Sequence, residues 1–341
     1  MHTTFRVLAA PPLLLFSCLA LPACGSSSAG PAGAAGATGS AGGPAGAGSA
    51  NTAGAAGAGD SSQLVGSFQI KLTAAANPGT GTTNIVGKIY DGPTPGSTIW
   101  DKPQVDGACT LTTPRIPFCN TACTGSSVCV ENDTCLAYPT AHGAGTVTVS
   151  GVQTADGQRS FTMSPIANNY QPTAALSYPP FSEGDKITIS AAGEYFPAFS
   201  LTSTGIAPLV LSSSELALKS GQALDLTWIK SAPGISTIHV KLDISHHGGS
   251  KGQIECDTND SGSLSISGTL IGKLLALGVA GYPTVIVTRQ AIGATTISTG
   301  RVELVVSSVV ETGVTVDGLT SCTRDDDCQN DETCQTDSSC K

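Results

Sequence analysis

The chain has 341 residues, with 16 Lys or Arg against 25 Asp or Glu and a net charge of −9. That balance excludes nucleic acid as a partner, because phosphate binding needs a basic face, and it provides no basic patch for anionic lipid. Only 12% of residues are charged and 41 are Gly, a composition that suits an extracellular all-β protein better than a cytosolic helical enzyme.

Residues 1–23 read as a removable export signal. Arg6 supplies the positive start, and Val7 to Leu21 is an apolar stretch broken by Pro11-Pro12. It is too short and too kinked to span a membrane as a helix. It ends in Leu21-Pro22-Ala23-Cys24, which resembles a bacterial lipobox. The resemblance implies cleavage before Cys24, a diacylglycerol on its thiol, and the membrane as a partner through that lipid. Pro22 departs from the small or β-branched residue usual at its place. Cleavage after Ala23 is the competing reading and would give a secreted protein, but Leu21 is larger than that route requires. Gly25 follows the Cys where an Asp would retain the protein at an inner membrane, so the expected address is the outer membrane of the cell envelope.

Residues 25–60 hold 13 Ala, 12 Gly, 5 Ser and 2 Pro, with a single charge at Asp60. No core can form from that composition. Thirty-six residues of such a coil span roughly 30–36 Å, enough to lift a domain off a lipid surface. Gly recurs every third residue from Gly30 to Gly42 and then slips at Gly43, and Pro is too sparse for a collagen helix.

Beyond the linker the expected organisation is an N-terminal β and Cys-rich segment over 63–142, a β-sandwich over 143–317 and an acidic Cys-rich tail over 318–341. The first two segments are compatible with one shared core. Short runs alternate apolar with polar residues, as a strand with one buried face does. Examples are 66–72, 145–149, 186–189, 224–229, 237–242, 284–288 and 301–306. Their density predicts an all-β sandwich, immunoglobulin-like by analogy of architecture only, with a disulfide-rich insert and a small Cys-rich C-terminal tail. One short helix is expected near Leu270 to Leu277, capped by Ser267 and ended at Gly278.

Twelve Cys divide into groups. Cys18 leaves with the signal and Cys24 is the lipid site. Cys109, Cys119, Cys123, Cys129 and Cys135 form a cluster, Cys256 stands alone, and Cys322, Cys328, Cys334 and Cys340 lie in the tail. Ten Cys in an exported chain favour disulfides. Parity makes Cys256 the natural sixth partner of the cluster, but the connectivity stays open, as does a pair of free thiols or an intermolecular bond. Zinc is the rival, since Cys119-x3-Cys123 has ligand spacing. The tail carries six acids against Arg324 and Lys341. They offer oxygen to Ca²⁺, although a solvated acidic loop explains them as well. Twenty residues bury no core, so disulfides must hold this tail together.

Three further groupings could carry chemistry. His239, Asp243, His246 and His247 crowd together, and on a strand His239, Asp243 and His247 would share a face fit for a metal or for acid–base work. The bland alternative is a polar strand end entering the Gly248-Gly249 turn. Asp257, Asn259 and Ser261 resemble the start of a calcium loop, but Gly268 stands where the bidentate Glu belongs. Tyr170, Tyr178, Phe181 and Tyr195 could form a platform for a glycan or a cell-surface protein, or simply fill the core. Nucleophile and phosphate motifs are missing, so no resident cofactor is expected.

The order of lipobox, Gly/Ala/Ser linker, Cys-rich segment, β body and acidic tail resembles the Cys-rich surface lipoproteins of myxobacteria, and the tail CTRDDDCQNDETCQTDSSCK resembles EGF-like and Dickkopf-like knots. That resemblance implies an envelope context and supplies no catalytic residue. Two functions are therefore expected in competition: a lipid-anchored, disulfide-stapled envelope protein that binds or supports, or a metal-dependent enzyme or metal-binding protein built on the His239 cluster.

Overall fold

The computed structural model describes residues 63–74, 81–213, 216–249 and 251–341. The export signal, Cys24 and the Gly/Ala/Ser linker lie outside the described residues. Strands dominate, as the alternation requires. In chain order they are β1 (Leu64–Thr73), β2 (Thr82–Ile89), β3 (Ile99–Asp106), β4 (Cys109–Arg115), β5 (Ser127–Glu131), β6 (Thr134–Ala137), β7 (Val147–Ser150), β8 (Ser160–Met163), β9 (Asn169–Tyr170) and β10 (Lys186–Ala191). There follow β11 (Phe199–Thr204), β12 (Ala217–Leu218), β13 (Leu224–Thr227), β14 (Thr237–Asp243), β15 (Gln253–Asn259) and β16 (Ser263–Ile266). After helix α1 (Gly268–Leu275) come β17 (Thr284–Ile297), β18 (Gly300–Gly313) and β19 (Thr315–Val316).

A nine-stranded mixed sheet runs in the order β3-β4-β15-β14-β17-β18-β1-β2-β9, and a four-stranded sheet in the order β11-β10-β7-β8. The long hairpin β17–β18, 14 residues on each arm, crosses the molecule and serves two cores. At one end Phe68, Ile70 and Leu72 of β1, with Leu304 and Val306 of β18, pack against Val147, Val149, Ile187 and Ile189 of the smaller sheet. At the other end Val240 and Leu242 of β14, Ile254 and Cys256 of β15, and Val285 and Val287 of β17 pack under α1 and the β13–β16 pair. Strands from both 63–142 and 143–317 thus pair within one sheet and line the same cores. The all-β sandwich is the observed fold, with a disulfide-rich insert between β4 and β7 and a small Cys-rich C-terminus.

Local chemistry accounts for the turns. Ser267 accepts the Leu270 N–H at 3.3 Å, which satisfies one of the unpaired donors at the start of α1. Leu270, Ile271 and Leu274 bury the inner face of that helix. Gly293 lies where the smaller sheet meets β17. A Cβ there would overlap the Thr202 carbonyl oxygen, so only Gly permits this approach.

The crossing point of the two cores is polar. Arg289 sits between Val287 of one core and Ala291 of the other, with 1% of its side chain exposed. Its Nε donates to Asp260 Oδ2 at 2.6 Å, and its remaining donors reach the carbonyls of Ala207, Pro208 and Ile229. Trp228 Nε1 and Ser236 Oγ also donate to Asp260. A buried charge pair is tolerable only when its remaining hydrogen-bonding capacity is met in this way. Burial opposes ionisation of Asp260, but the hydrogen bonds from Arg289, Ser236 and Trp228 outweigh it and hold the carboxyl below its ordinary value.

Candidate functional site

Five disulfides pair all ten Cys from Cys109 to Cys340. Cys256 joins Cys109 across 147 residues of chain. The two face each other in the β4–β15 register, which brings their Cα atoms to 4.0 Å. This staple closes the core beneath β14 and β15. The Cys119 and Cys123 sulfurs considered for zinc are taken by Cys129 and Cys135. Among the described residues, the groupings of three ligand-type side chains within metal-binding range are Cys119/Cys123/Cys129 and Cys322/Cys328/Cys340. All six of those sulfurs are in disulfides, and a disulfide sulfur is no thiolate ligand.

The other four disulfides build two copies of one small knot. Cys123, Cys129 and Cys135 recur 205 residues later as Cys328, Cys334 and Cys340. In both copies the first Cys bonds the third and the second bonds the fourth. The third and fourth Cys pair across a hairpin in each, Cys129 with Cys135 and Cys334 with Cys340. Val128 pairs with Leu136 as Thr333 pairs with Lys341. The left-handed positions also coincide, at Gly125 and Asn330 and again at Asp133 and Ser338. The equal five-residue gaps were the sequence signal for this repeat.

The surroundings of the two knots differ. The C-terminal knot is docked, with Gly281 N–H donating to Asp337 O at 2.6 Å and Ser321 Oγ donating to Gly281 O. Gly248 makes room, since a Cβ there would strike Gly281 N and Asp337 O. Its acids are used locally. Asp327 Oδ2 takes Thr323 N–H at 2.8 Å, Asp325 Oδ1 takes Cys334 N–H at 2.8 Å, and Asp337 pairs with Lys341 at 2.8 Å. The first knot is instead exposed, and four large apolar side chains stand on it beside exposed Glu131 and Asp133. Ile116, Phe118, Leu136 and Tyr138 are 79, 69, 50 and 46% accessible.

The His cluster does not share one face. β14 ends at Asp243, so His239 and Asp243 project from the outer side of the sheet while His247 lies in the following turn at φ +63°. Asp243 Oδ1 closes that turn by accepting Ser245 N–H at 2.9 Å and its hydroxyl at 3.1 Å. His246 lies 3.8 Å from Glu311 and its ring sits 4.0 Å from that of His247, tilted by 55°. The partner of His239 is Asp257, directly opposite in the β14–β15 register, with Nδ1 to Oδ1 at 2.9 Å. That hydrogen bond, against partial burial, raises the imidazole above its ordinary value. The calcium-loop reading places Asp257 beside His239 and Asn259 opposite Thr237, while Asp260 turns inward to Arg289. These oxygens diverge instead of converging on one point.

Nor does the aromatic stretch form a platform. Tyr170 is 1% exposed, packs on Phe68 at 5.5 Å, and accepts the Ala144 N–H at 2.6 Å. Burial raises its phenol above the ordinary value. Phe181 is also buried, and Tyr178 packs half-buried on the same core. Of the four residues, Tyr195 is the exposed one, at 55%, and one of its faces is covered by His142 at 3.6 Å. Asp91 holds that imidazole at 3.2 Å. Sequence reasoning did not pair His142 with Tyr195, because 53 residues separate them.

Fold and site together define a disulfide-stapled all-β protein carrying a duplicated two-disulfide module, matured in an oxidising compartment. Among the described residues no helix is long and apolar enough to cross a membrane. No family model and no curated protein matches the chain. Among solved structures it is similar to a tetra-tandem repeat in the extending region of a large adhesion protein, at 14% identity and TM-score 0.18, over 75% of this chain and 76% of that one. It is similar to the FN1–FN3 domains of chicken CNTN1 at 7% identity and TM-score 0.19, over 68% and 78%. A third is trypsin-activated alpha-2-macroglobulin from Escherichia coli, at 11% and 0.18, over 70% of this chain and 18% of that one.

Proposed function

We propose that the chain is an exported lipoprotein of the cell envelope, anchored through Cys24 and carrying its β body on the Gly/Ala/Ser linker. Its role is binding or structural support at the surface, toward a glycan or a cell-surface protein. Its kin are the Cys-rich surface lipoproteins of myxobacteria, and its address is the outer membrane. The observation that carries this reading is the complete pairing of the ten Cys from Cys109 to Cys340, which a reducing cytosol would not sustain. The lipobox-like Leu21-Pro22-Ala23-Cys24 supports the anchor, and the two acyl chains of a diacylglycerol suffice for stable attachment.

The test is fractionation of cells expressing the full chain beside a Cys24→Ala variant. The unaltered protein sediments with envelope membranes and its N-terminal peptide carries a diacylglyceryl mass. The variant moves to the soluble fraction. Equal distribution of the two, with an unmodified Cys24, would remove the anchor from the account.

A further inference from the structure

The two knots supply an internal control. The same frame forms in both, yet Phe118, which precedes the first Cys of one, corresponds to Ser321 in the other, and Leu136 corresponds to Lys341. Exposed apolar side chains are therefore not required to build the knot. They concentrate at the first copy all the same. Of 13 exposed large apolar side chains among the described residues, Ile116, Phe118, Leu136 and Tyr138 lie on it, and Trp100 on neighbouring β3 pairs opposite Pro114. Soluble surfaces rarely gather such residues without a use.

The position of this knot points to the occupant. The chain outside the described residues enters at Gln63, immediately before β1. Val65 O accepts the Tyr90 N–H at 2.9 Å, Tyr90 bridges Ala141, and Asp91 N–H reaches Thr140 O at 3.0 Å. The root of the linker thus lies beside the exit of the first knot, two residues from Tyr138. Tyr195, stacked on His142, stands at the same end. Tyr and Trp rings with an apolar body and a polar tip suit the boundary between headgroups and acyl chains.

We propose that the first knot is a second membrane contact, seating Phe118, Ile116, Leu136 and Tyr138 in the headgroup boundary of the bilayer that holds Cys24. This rests on the lipoprotein reading above. The linker keeps the body near the surface, and the knot fixes which end faces the lipid. Arg115 is already paired with Asp101 at 2.6 Å and Glu131 at 3.2 Å, and Asp133 is held by Asn120, so the knot offers no free cation to anionic headgroups and its apolar side chains carry the contact.

The test uses the full lipidated chain reconstituted in phosphatidylcholine vesicles with brominated acyl chains. Phe118→Trp adds a reporter indole on the knot, read as the difference from the unaltered chain, in which Trp100 and Trp228 also emit. Leu136→Lys is the control, carrying the residue that the docked knot has at that position, so its fold is expected to survive. The introduced indole should be quenched by at least about half and shift to the blue, and Leu136→Lys should abolish both changes. Mass analysis of the Cys24 peptide on the same sample reads the anchor separately. A lipidated Cys24 with an unquenched indole overturns the knot contact and leaves the anchor standing. An unlipidated Cys24 removes the anchor, and the knot contact then fails unless Cys24→Ala protein still binds the same vesicles through Phe118. Capture of a protein by Phe118 and Leu136, with no quenching by lipid, also overturns the assignment.

Discussion

Replacing Cys109 and Cys256 together by Ala removes the bond that closes the longest loop in the molecule. Constraining 147 residues in the unfolded chain is worth ~5 kcal/mol at 25 °C on the chain-entropy account. Both residues are buried, at 2% and 0% exposure, so each lost sulfur leaves a methylene-sized void costing about 1 kcal/mol more. The expected loss is about 5–7 kcal/mol, most of the stability of an ordinary domain. Urea unfolding followed by the emission of Trp228, buried in the stapled core, measures it. The comparison is Cys119→Ala with Cys129→Ala, which opens one loop of 10 residues and on the same account should cost only about half as much, ~2.7 kcal/mol. A staple variant losing less than about 1 kcal/mol would refute the reasoning, because the β4–β15 pairing would then hold that edge without the covalent closure.

Three other outcomes follow from single sites. Arg289→Met leaves Asp260 charged and buried without its partner and should cost about 3–5 kcal/mol in urea unfolding, while adding Asp260→Leu should recover much of the loss. Gly293→Ala drives a methyl into the Thr202 carbonyl and should lower stability by about 2 kcal/mol, while Gly313→Ala, with open space around it, should change it by less than ~0.5 kcal/mol in thermal melts. Because Asp257 raises His239 in the folded state, its stabilisation is complete below the unfolded value of about 6.5 and is lost as pH rises through the higher folded value. His239→Gln should flatten the unfolding free energy across that window, and a slope unchanged by the substitution would discard the pair as its source.

The sequence made the regular parts legible because they obey local rules. Alternation in LDLT and TIHVKLD placed β13 and β14, and Ser267 before an apolar triplet placed α1. The length of β17 and β18 was hidden, since AIGATTI looks like a Gly-broken loop until the smaller sheet is seen packing on Gly293. Parity could nominate Cys256 as a partner but could not choose Cys109 from five, because the choice is made by strand register. Nothing in DTNDSG sets Asp260 apart from its neighbours. Its role depends on Arg289, 29 residues away, in the alternating strand β17. Of the two readings of His247, the strand end entering the Gly248-Gly249 turn is the one that fits, because Asp243 binds Ser245 and ends β14 before the chain reaches His247.

Peptide mass mapping without reduction, on protein taken from the envelope fraction, tests the central claim most directly. The account predicts Cys24 bearing lipid, the bonds Cys109–Cys256, Cys119–Cys129, Cys123–Cys135, Cys322–Cys334 and Cys328–Cys340, and no free thiol between Cys109 and Cys340. Reduced thiols in either knot, above all with bound metal, together with an unmodified Cys24, would contradict it.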